Sequence, residues 1–161
     1  MKILIVYDSY FGNTEKIARV VANTLSASAD VETVKITGFT FDKISGHDLF
    51  ILGSPTRGFN ASEPVQACLK AIPAGGLQGI KAAVFDTRIN ADTIKFFLSR
   101  FIVKRGGYAA EKMAAALAQK GAVLSAGPAW FIVKESEGPL LEGELEHAAQ
   151  WAASLLESTA G

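Results

Sequence analysis

Short apolar runs and stripes of helical spacing alternate along this chain. The first run, Lys2–Tyr7, is continuously apolar after its first residue, which predicts a buried strand. Apolar residues then recur at intervals of three and four, which predicts an amphipathic helix with Ile17, Val21 and Leu25 on its inner face. The two patterns keep alternating to the end, and the chain is therefore predicted to be an α/β protein.

The later elements follow from the same two patterns. Residues 31–36 alternate apolar and polar side chains, which is typical of an edge strand, whereas 49–52 are apolar on both faces and predict a central strand. Ser62 can cap the next helix, with Pro64 in its first turn. The other predicted elements are strands at 81–85 and 122–133, the second of them broken near Gly127, and helices at 94–102, 108–120 and 141–156.

Alternating strands and helices predict a doubly wound parallel sheet with helices on both faces. In such sheets, ligands bind beyond the carboxyl ends of the strands, where the strand order reverses. Three predicted loops meet at that edge, and all of them are rich in Gly, Ser, Thr or Asn: residues 8–14, 53–60 and 86–92. This edge of the sheet is the predicted ligand site.

The first of these loops has the chemistry of an anion site. The first backbone N–H groups of a helix have no intrahelical acceptor, and the helix dipole adds partial positive charge there. A phosphate could therefore accept hydrogen bonds from these groups and from the hydroxyls of Ser9 and Thr14, while Gly12 allows a tight turn. The loop contains no Lys or Arg, which suits a monophosphate better than a triphosphate with Mg²⁺. The alternative is a helix N-terminus that binds nothing.

Composition narrows the class of protein. The 161 residues fit a single domain, 1–161, and 49% of them are hydrophobic, which is enough for a sizeable core. The 16 basic and 16 acidic residues cancel, so no nucleic-acid partner is expected. The single cysteine excludes an internal disulfide, and no apolar run approaches the ~20 residues of a membrane span. Because a strand starts at residue 2, no signal peptide is expected. Membrane insertion is not expected without a long apolar run, and the single cysteine predicts a cytoplasmic location.

The groups that common hydrolases use are not placed to act together. His47 precedes a strand and His147 belongs to the last helix, so both are predicted to lie away from the three loops. Cys68 falls on the apolar stripe of its helix and is predicted to fill core space. Gly53-Ser54 ends the third strand, where a phospho-acceptor receiver domain needs a carboxylate. No catalytic residue and no metal site is therefore predicted.

The three loops resemble those of the flavodoxin family. The matching residues are Ser9-x-x-Gly12-Asn13-Thr14 after the first strand, Gly53-Ser54-Pro55-Thr56 after the third and Asp86-Thr87-Arg88 after the fourth. The resemblance covers essentially the whole chain. It implies a flavodoxin-like, five-stranded parallel sheet in the order 2-1-3-4-5 and a bound FMN. The phosphate would lie on residues 9–14 and the isoalloxazine ring between the second and third loops.

The resemblance assigns cofactor contacts to all three loops. Tyr10 and Phe11 could flank the ribityl chain or cover the loop, and covering is the preferred role of Phe11. Trp130 and Trp151 are predicted to pack within the fold, because their strand and helix lie away from the loops. The predicted FMN-binding residues are Ser9, Tyr10, Phe11, Gly12, Asn13, Thr14, Ser54, Pro55, Thr56, Arg57, Gly58, Phe59, Asp86, Thr87 and Arg88.

The two loops that would flank the ring carry an arginine each, Arg57 and Arg88, whereas well-studied flavodoxins are acidic. Their positive charges are predicted to favour the anionic, fully reduced flavin by Coulomb attraction. Gly58 is predicted to be a backbone switch, because glycine lets a carbonyl turn toward the flavin when the flavin takes up one electron.

Functions of different classes follow from the resemblance. The first is an electron carrier that binds FMN and exchanges electrons with redox partner proteins, as a monomer or a weak homodimer. The second is an NAD(P)H-dependent FMN oxidoreductase or quinone reductase, in which residues 94–108 would close a substrate cavity over the flavin. A further outcome is a flavodoxin-like domain without bound flavin. The carrier is the preferred function.

Overall fold

Strands and helices alternate in the computed structural model, which describes residues 1–89 and 107–159. The predicted helical segment 94–102 lies outside the described residues. The strands are β1 (Lys2–Tyr7), β2 (Asp30–Lys35), β3 (Leu49–Pro55), β4 (Lys81–Ile89), β5 (Val123–Leu124) and β6 (Ala129–Val133). The α-helices of the described ranges are α1 (Asn13–Leu25), α2 (Glu63–Ala71), α3 (Ala109–Gln119) and α4 (Glu144–Thr159), and short 3₁₀ helices span Ile36–Gly38 and Phe41–Ile44.

The strands form one parallel sheet in the order β2-β1-β3-β4-β5, and β6 pairs with the carboxyl-terminal half of β4. Lys81 of β4 pairs with Val123 of β5, and Phe85 pairs with Ala129 of β6. The two short strands together therefore fill the fifth position, with the interruption near Gly127 that the sequence predicts. The predicted fold class, a doubly wound parallel sheet in the order 2-1-3-4-5, is confirmed.

Successive residues of a strand face opposite sides of the sheet, and a separate core forms on each side. Leu4 and Val6 pack beneath α2 and α3, whereas Ile3 and Ile5 pack beneath α1 and α4. All of these side chains are fully buried, and each contributes about 1.5–3 kcal/mol relative to an exposed position. With both faces covered by helices, the carboxyl ends of the strands are the place for a ligand site.

Two strands extend further than the sequence predicts. β3 continues to Pro55 and β4 to Ile89, although the sequence predicts loops from residues 53 and 86. The strand pairing continues beyond the predicted ends, since residues 54 and 55 of β3 pair with residues 86 and 87 of β4. Residues 86–88 therefore lie in a strand and not, as predicted, in a loop. Their polar side chains can be buried there because Asp86 and Arg88 pair with each other.

The last helix begins later than its apolar stripe predicts. The stripe indicates a start at residue 141, but the backbone N–H of Leu141 donates to the carbonyl of Ile132 (2.9 Å), and α4 begins at Glu144. None of the helices in the described ranges combines the length and the apolar character needed to cross a membrane.

Cys68 packs against the core on the α2 side of the sheet, as predicted. Burial raises the pKa of its thiol from 9.0 to about 11, so the thiolate fraction at pH 8 falls roughly a hundredfold. We expect the native protein to react with a thiol-specific disulfide reagent about a hundred times more slowly than the same chain unfolded in guanidinium. The absorbance of the released thiolate at pH 8 measures both rates, and equal rates would contradict burial of the thiol.

Candidate functional site

A cavity of about 170 Å³ lies at the carboxyl edge of the sheet, where the three predicted segments meet. This volume is below the roughly 300–1,000 Å³ that is typical of small-molecule pockets. The predicted site residues that line the cavity are Ser9, Tyr10, Phe11, Asn13, Thr14, Pro55, Thr56, Arg57, Gly58, Thr87 and Arg88.

The remaining predicted residues do not line this cavity. They are Gly12, Ser54, Phe59 and Asp86. The lining also includes Ile89 of β4, Val133 of β6 and Ser136, which belongs to a fourth segment, residues 134–139, that the sequence does not place at the site. Like the other three segments, it contains polar residues just after the end of a strand. That pattern is the sequence signal that could have placed it at the site.

The loop before α1 presents several unpaired backbone donors to the cavity. Gly12, with φ of 88°, precedes the helix, and Ser9 Oγ accepts hydrogen bonds from the N–H groups of Gly12 (3.1 Å) and Glu15 (3.3 Å). Within the described ranges, no acceptor faces the backbone N–H groups of Tyr10, Phe11, Asn13 and Thr14. The Ser9 hydroxyl therefore stabilises the turn within the loop, and the four unpaired N–H groups are available to a ligand.

Thr14 and Thr87 join the first and third segments. Their hydroxyl oxygens lie 2.8 Å apart in a buried hydrogen bond, and either one can be the donor. The pair therefore retains one hydroxyl proton that can be donated to a ligand. Thr56 also lines the cavity, and its buried Oγ1 has no hydrogen-bond partner among the described residues. Buried polar atoms are normally paired, so this hydroxyl fits a ligand atom.

The fourth segment, residues 134–139, is held against the first loop. The side-chain amide of Asn13 donates to the carbonyl of Glu137 (3.0 Å). Gly138 lies so close that a Cβ there would be 2.7 Å from Asn13 Oδ1, and its φ is +109°. The side chain of Asn13, a predicted phosphate ligand, is therefore used within the fold, and its backbone N–H is the group left for a ligand.

Arg57 lies across the mouth of the cavity. Its guanidinium carbon is 5.0 Å from the ring centroids of both Tyr10 and Phe11, and its Nη1 donates to Ser136 Oγ (3.2 Å). Both aromatic side chains are about half exposed, at 49% and 47%. The guanidinium therefore covers the faces of these two rings at the cavity.

Arg88 is not the free cation at the ring that the sequence predicts. Its Nε and Nη2 donate to the two carboxylate oxygens of Asp86 (2.7 and 2.6 Å), and Nη2 also contacts Glu111 (3.1 Å). The guanidinium lies between the rings of Tyr108 (4.1 Å) and Trp130 (5.0 Å). Because two carboxylates surround one guanidinium, the cluster carries no net positive charge that could favour an anionic ligand.

The pKa values of both groups of this buried pair are raised, for different reasons. Desolvation raises the pKa of the Asp86 carboxyl, although Arg88 and the backbone N–H of Ala110 (2.8 Å) act in the opposite direction. Desolvation alone would lower the pKa of Arg88, but the hydrogen bond and charge of Asp86, with Glu111, raise it. Asp86 thereby ties β4 to the start of α3 and faces away from the cavity.

In the Gly-Ser-Pro-Thr motif, Gly53 and Ser54 serve packing, whereas Pro55 and Thr56 line the cavity. Ser54 Oγ donates to the carbonyl of Pro55 (2.9 Å) and accepts from the backbone N–H of Ser62 (2.9 Å). Ser62 precedes α2 as predicted, but its side chain makes no capping hydrogen bond. Gly53 faces the ring of Phe85, where a Cβ would lie 2.2 Å from Cζ.

The segment after β3 forms a tight turn over residues 57–60. The backbone N–H of Arg57 donates to the carbonyl of Asn60 (2.8 Å), and the N–H of Asn60 donates to the carbonyl of Arg57 (3.0 Å). Gly58 and Phe59 both have positive φ, 52° and 66°, which is the signature of a type I′ turn. The Phe59 ring packs edge-on against Tyr108 at 5.6 Å, so it supports the turn instead of lining the cavity.

The histidines lie elsewhere, as predicted. His47 lines a separate cleft with Met1, Asp48 and Lys81, at the amino ends of the strands. His147 packs on Phe131 at the α4 face. Within the described ranges, no cluster of three His, Cys, Asp or Glu side chains could hold a metal ion.

Flavodoxins are among the solved structures with this arrangement of strands and helices. Oxidised Flavodoxin 2 from Bacillus cereus superposes with a TM-score of 0.73 and 25% sequence identity, over 98% of this chain and 99% of its own. A flavodoxin from the domain Archaea superposes with a TM-score of 0.76 and 16% identity, over 100% of both chains. The chain has a flavodoxin-like fold. The resemblance that the loop motifs indicate is thereby confirmed.

A sequence relative of this flavodoxin-like chain matches only in part. A protein described as diflavin flavoprotein A 4, from Synechocystis sp., is 32% identical over 90 residues. The match covers 53% of this chain and 15% of that protein, so the chain corresponds to a small part of the relative's length. No family model matches the chain.

Proposed function

We propose that this chain binds FMN at the carboxyl edge of its sheet and carries electrons between redox partner proteins. The observation that supports this most strongly is the loop before α1, with its unpaired N–H groups at Tyr10, Phe11, Asn13 and Thr14. Donors that converge at a helix N-terminus fit a phosphate group. The flavodoxin-like fold supports a flavin as the rest of that ligand.

The phosphate would be held by neutral groups. The loop supplies backbone N–H donors, and the Thr14–Thr87 pair supplies one further hydroxyl proton. A hydrogen bond to a charged group contributes roughly 1.5–3 kcal/mol, so several of them suffice for tight binding of a phosphate. Since residues 8–14 contain no Lys or Arg, a monophosphate suits the site.

The remainder of the ligand would lie between the 57–60 turn and the end of β4. Thr56 Oγ1 is buried without a partner there, and Thr87 lies opposite. FMN, when bound, supplies the ability to accept and release one or two electrons. The chain's own contribution is to bind the phosphate, to surround the ring edge with backbone groups and to limit the access of water.

The rim of the cavity supports a protein as the electron partner. Three large apolar side chains of the cavity lining are exposed: Tyr10 (49%) and Phe11 (47%) in the first loop, and Ile89 (41%) at the end of β4. Exposed apolar groups that cluster at a site are typical of protein–protein contact surfaces. A carrier needs such a surface because its cofactor must approach that of its partner.

Replacing Ser9 and Thr14 together with alanine tests the phosphate assignment. Thr14→Ala removes a donor, and Ser9→Ala removes the acceptor that orders Gly12 and Glu15. We expect FMN affinity to fall at least about tenfold, one lost charge-assisted hydrogen bond of ~1.5 kcal/mol, while riboflavin affinity stays nearly unchanged. Fluorescence titration with both ligands measures the two affinities.

The matched control is Thr24→Ala with Ser26→Ala, at the opposite end of α1. These hydroxyls donate to the carbonyls of Val20 and Ala22, far from the cavity. The control should bind both ligands as the wild type does. Equal losses of FMN and riboflavin in the Ser9/Thr14 variant would mean that the phosphate does not lie on this loop.

A further inference from the structure

Every carbonyl of the 57–60 turn already accepts a hydrogen bond from within the chain. The carbonyl of Arg57 accepts from the N–H of Asn60 (3.0 Å), and that of Asn60 accepts from the N–H of Arg57 (2.8 Å). The carbonyl of Gly58 accepts from the side-chain amide of Asn60 (3.1 Å). The carbonyl of Phe59 accepts from Lys112 Nζ (2.9 Å). A carbonyl of this turn can therefore face a ligand only if an internal hydrogen bond breaks.

Helix α3 holds the turn from outside. Lys112 Nζ also donates to Asn60 Oδ1 (2.8 Å), so one ammonium group joins the backbone and the side chain of the turn. The ring contact between Phe59 and Tyr108 adds a second connection. The start of α3 is itself fixed to β4, because Asp86 accepts the hydrogen bond of the Ala110 N–H. The turn is thus connected through α3 to β4.

We infer that Asn60 and Lys112 are positioning residues that hold the 57–60 turn in one orientation and so disfavour one-electron reduction of the bound cofactor. This inference rests on the proposed function. It gives a role to two residues that do not line the cavity. Glycine at position 58 would let the peptide rotate, but the side-chain amide of Asn60 restricts this rotation by donating to the Gly58 carbonyl.

The chemical reason lies in the proton that accompanies the first electron. A bound flavin that accepted one electron from a one-electron donor and one proton from solvent would carry that proton at N5, and the N5–H group would need a hydrogen-bond acceptor. A carbonyl that is free to turn toward N5 would stabilise the one-electron-reduced flavin. A carbonyl that must first lose a hydrogen bond within the chain would stabilise it less. The net contribution of one hydrogen bond, about 0.5–1.5 kcal/mol, decides between the two cases.

The first test removes the amide without changing charge. In Asn60→Ala, the Gly58 carbonyl loses its donor, and we expect the equilibrium constant for forming the one-electron-reduced state to rise about threefold to tenfold. Tenfold corresponds to 59 mV in the separation of the two one-electron potentials. Spectroelectrochemistry of the FMN-loaded protein measures this separation, and hydrogen exchange of the FMN-free protein measures whether the amides of residues 58–60 exchange faster.

A pair of variants at Lys112 separates the hydrogen bond from the charge. Lys112→Met and Lys112→Gln both remove the positive charge, but only glutamine can still donate to the turn. We expect a wider separation of potentials and faster amide exchange in the methionine variant than in the glutamine variant. Lys70→Met, on the exposed face of α2, is the control for the loss of a distant charge and should leave the exchange of residues 58–60 unchanged.

The outcomes distinguish this inference from the proposed function. Failure of the wild type to bind FMN would overturn both. FMN binding with an unchanged separation of potentials in Asn60→Ala, or with equal behaviour of the two Lys112 variants, would overturn the role of Asn60 and Lys112 and leave the carrier function standing.

Discussion

Replacing Arg88 with methionine is expected to lower the free energy of unfolding by about 3–5 kcal/mol. The substitution leaves the carboxylate of Asp86, which is fully buried, with the N–H of Ala110 as its remaining donor among the described residues. It also removes the guanidinium from between Tyr108 and Trp130. Urea unfolding of the FMN-free protein at pH 7 measures the loss.

The loss in Arg88→Met should shrink as the pH falls. Burial raises the pKa of Asp86 even beside Arg88, and without the guanidinium the folded variant takes up a proton there at still higher pH. The folded state then binds more protons than the unfolded state, so the variant gains stability relative to the wild type as the pH falls through this raised pKa. A loss that is constant between pH 8 and pH 5 would contradict an uncompensated carboxylate.

Two further variants control for the substitution itself. Adding Asp86→Asn to Arg88→Met removes the unpaired charge and should recover part of the loss, because a neutral amide oxygen can still accept from Ala110. Arg19→Met breaks the exposed pair with Glu15 on α1 and is expected to cost no more than about 0.5 kcal/mol. A loss below 1 kcal/mol in Arg88→Met, similar to that of Arg19→Met, would contradict the account of this buried pair.

Gly53→Ala is expected to cost about 3 kcal/mol, the upper end of the usual range for overpacking. A Cβ at this position would lie 2.2, 2.6 and 2.7 Å from three ring carbons of Phe85. That ring cannot move aside easily, because it is fully buried and packs edge-on against Phe131 (6.0 Å) and Trp151 (5.8 Å). Thermal or urea unfolding measures the cost.

Gly127→Ala is the matched control, since nothing lies within 4 Å of a Cβ at that position. It should change the unfolding free energy by no more than about 0.5 kcal/mol. Phe85→Leu replaces the ring with a smaller side chain. In that background, Gly53→Ala should lower the unfolding free energy by less than it does in the wild type, because the two side chains occupy the same space. Equal costs of Gly53→Ala in both backgrounds would mean that the clash does not determine its effect.

The apolar pattern predicted the order of strands and helices because periodicity reports which face of each element is buried. It did not predict where β3 and β4 end. Asp86 and Arg88 read as loop residues when each is considered alone, whereas in the sheet they neutralise each other and the ladder continues past them. Such pairing depends on three-dimensional neighbours, including Glu111, that are distant in sequence.

For the site, too, the sequence predicted the parts that depend on local sequence and missed those that depend on distant residues. The loop before α1 could be recognised because local sequence alone creates a helix N-terminus with Gly12 and hydroxyl residues. The contribution of Ser136 and the link from Asn13 to Glu137 could not be recognised, because a segment more than 100 residues away supplies them. The positive charge assigned to Arg88 was wrong for the same reason, since its partners are not visible in the loop sequence.

Titration of the purified protein with FMN tests whether the chain binds this cofactor through its phosphate. FMN is added to protein freed of flavin, and visible absorption and flavin fluorescence are followed to saturation, with riboflavin in a parallel titration. We expect one FMN per chain, a shifted flavin spectrum and weaker binding of riboflavin, because the loop before α1 would contact the phosphate. A spectrum identical to that of free FMN throughout the titration would contradict the proposed function.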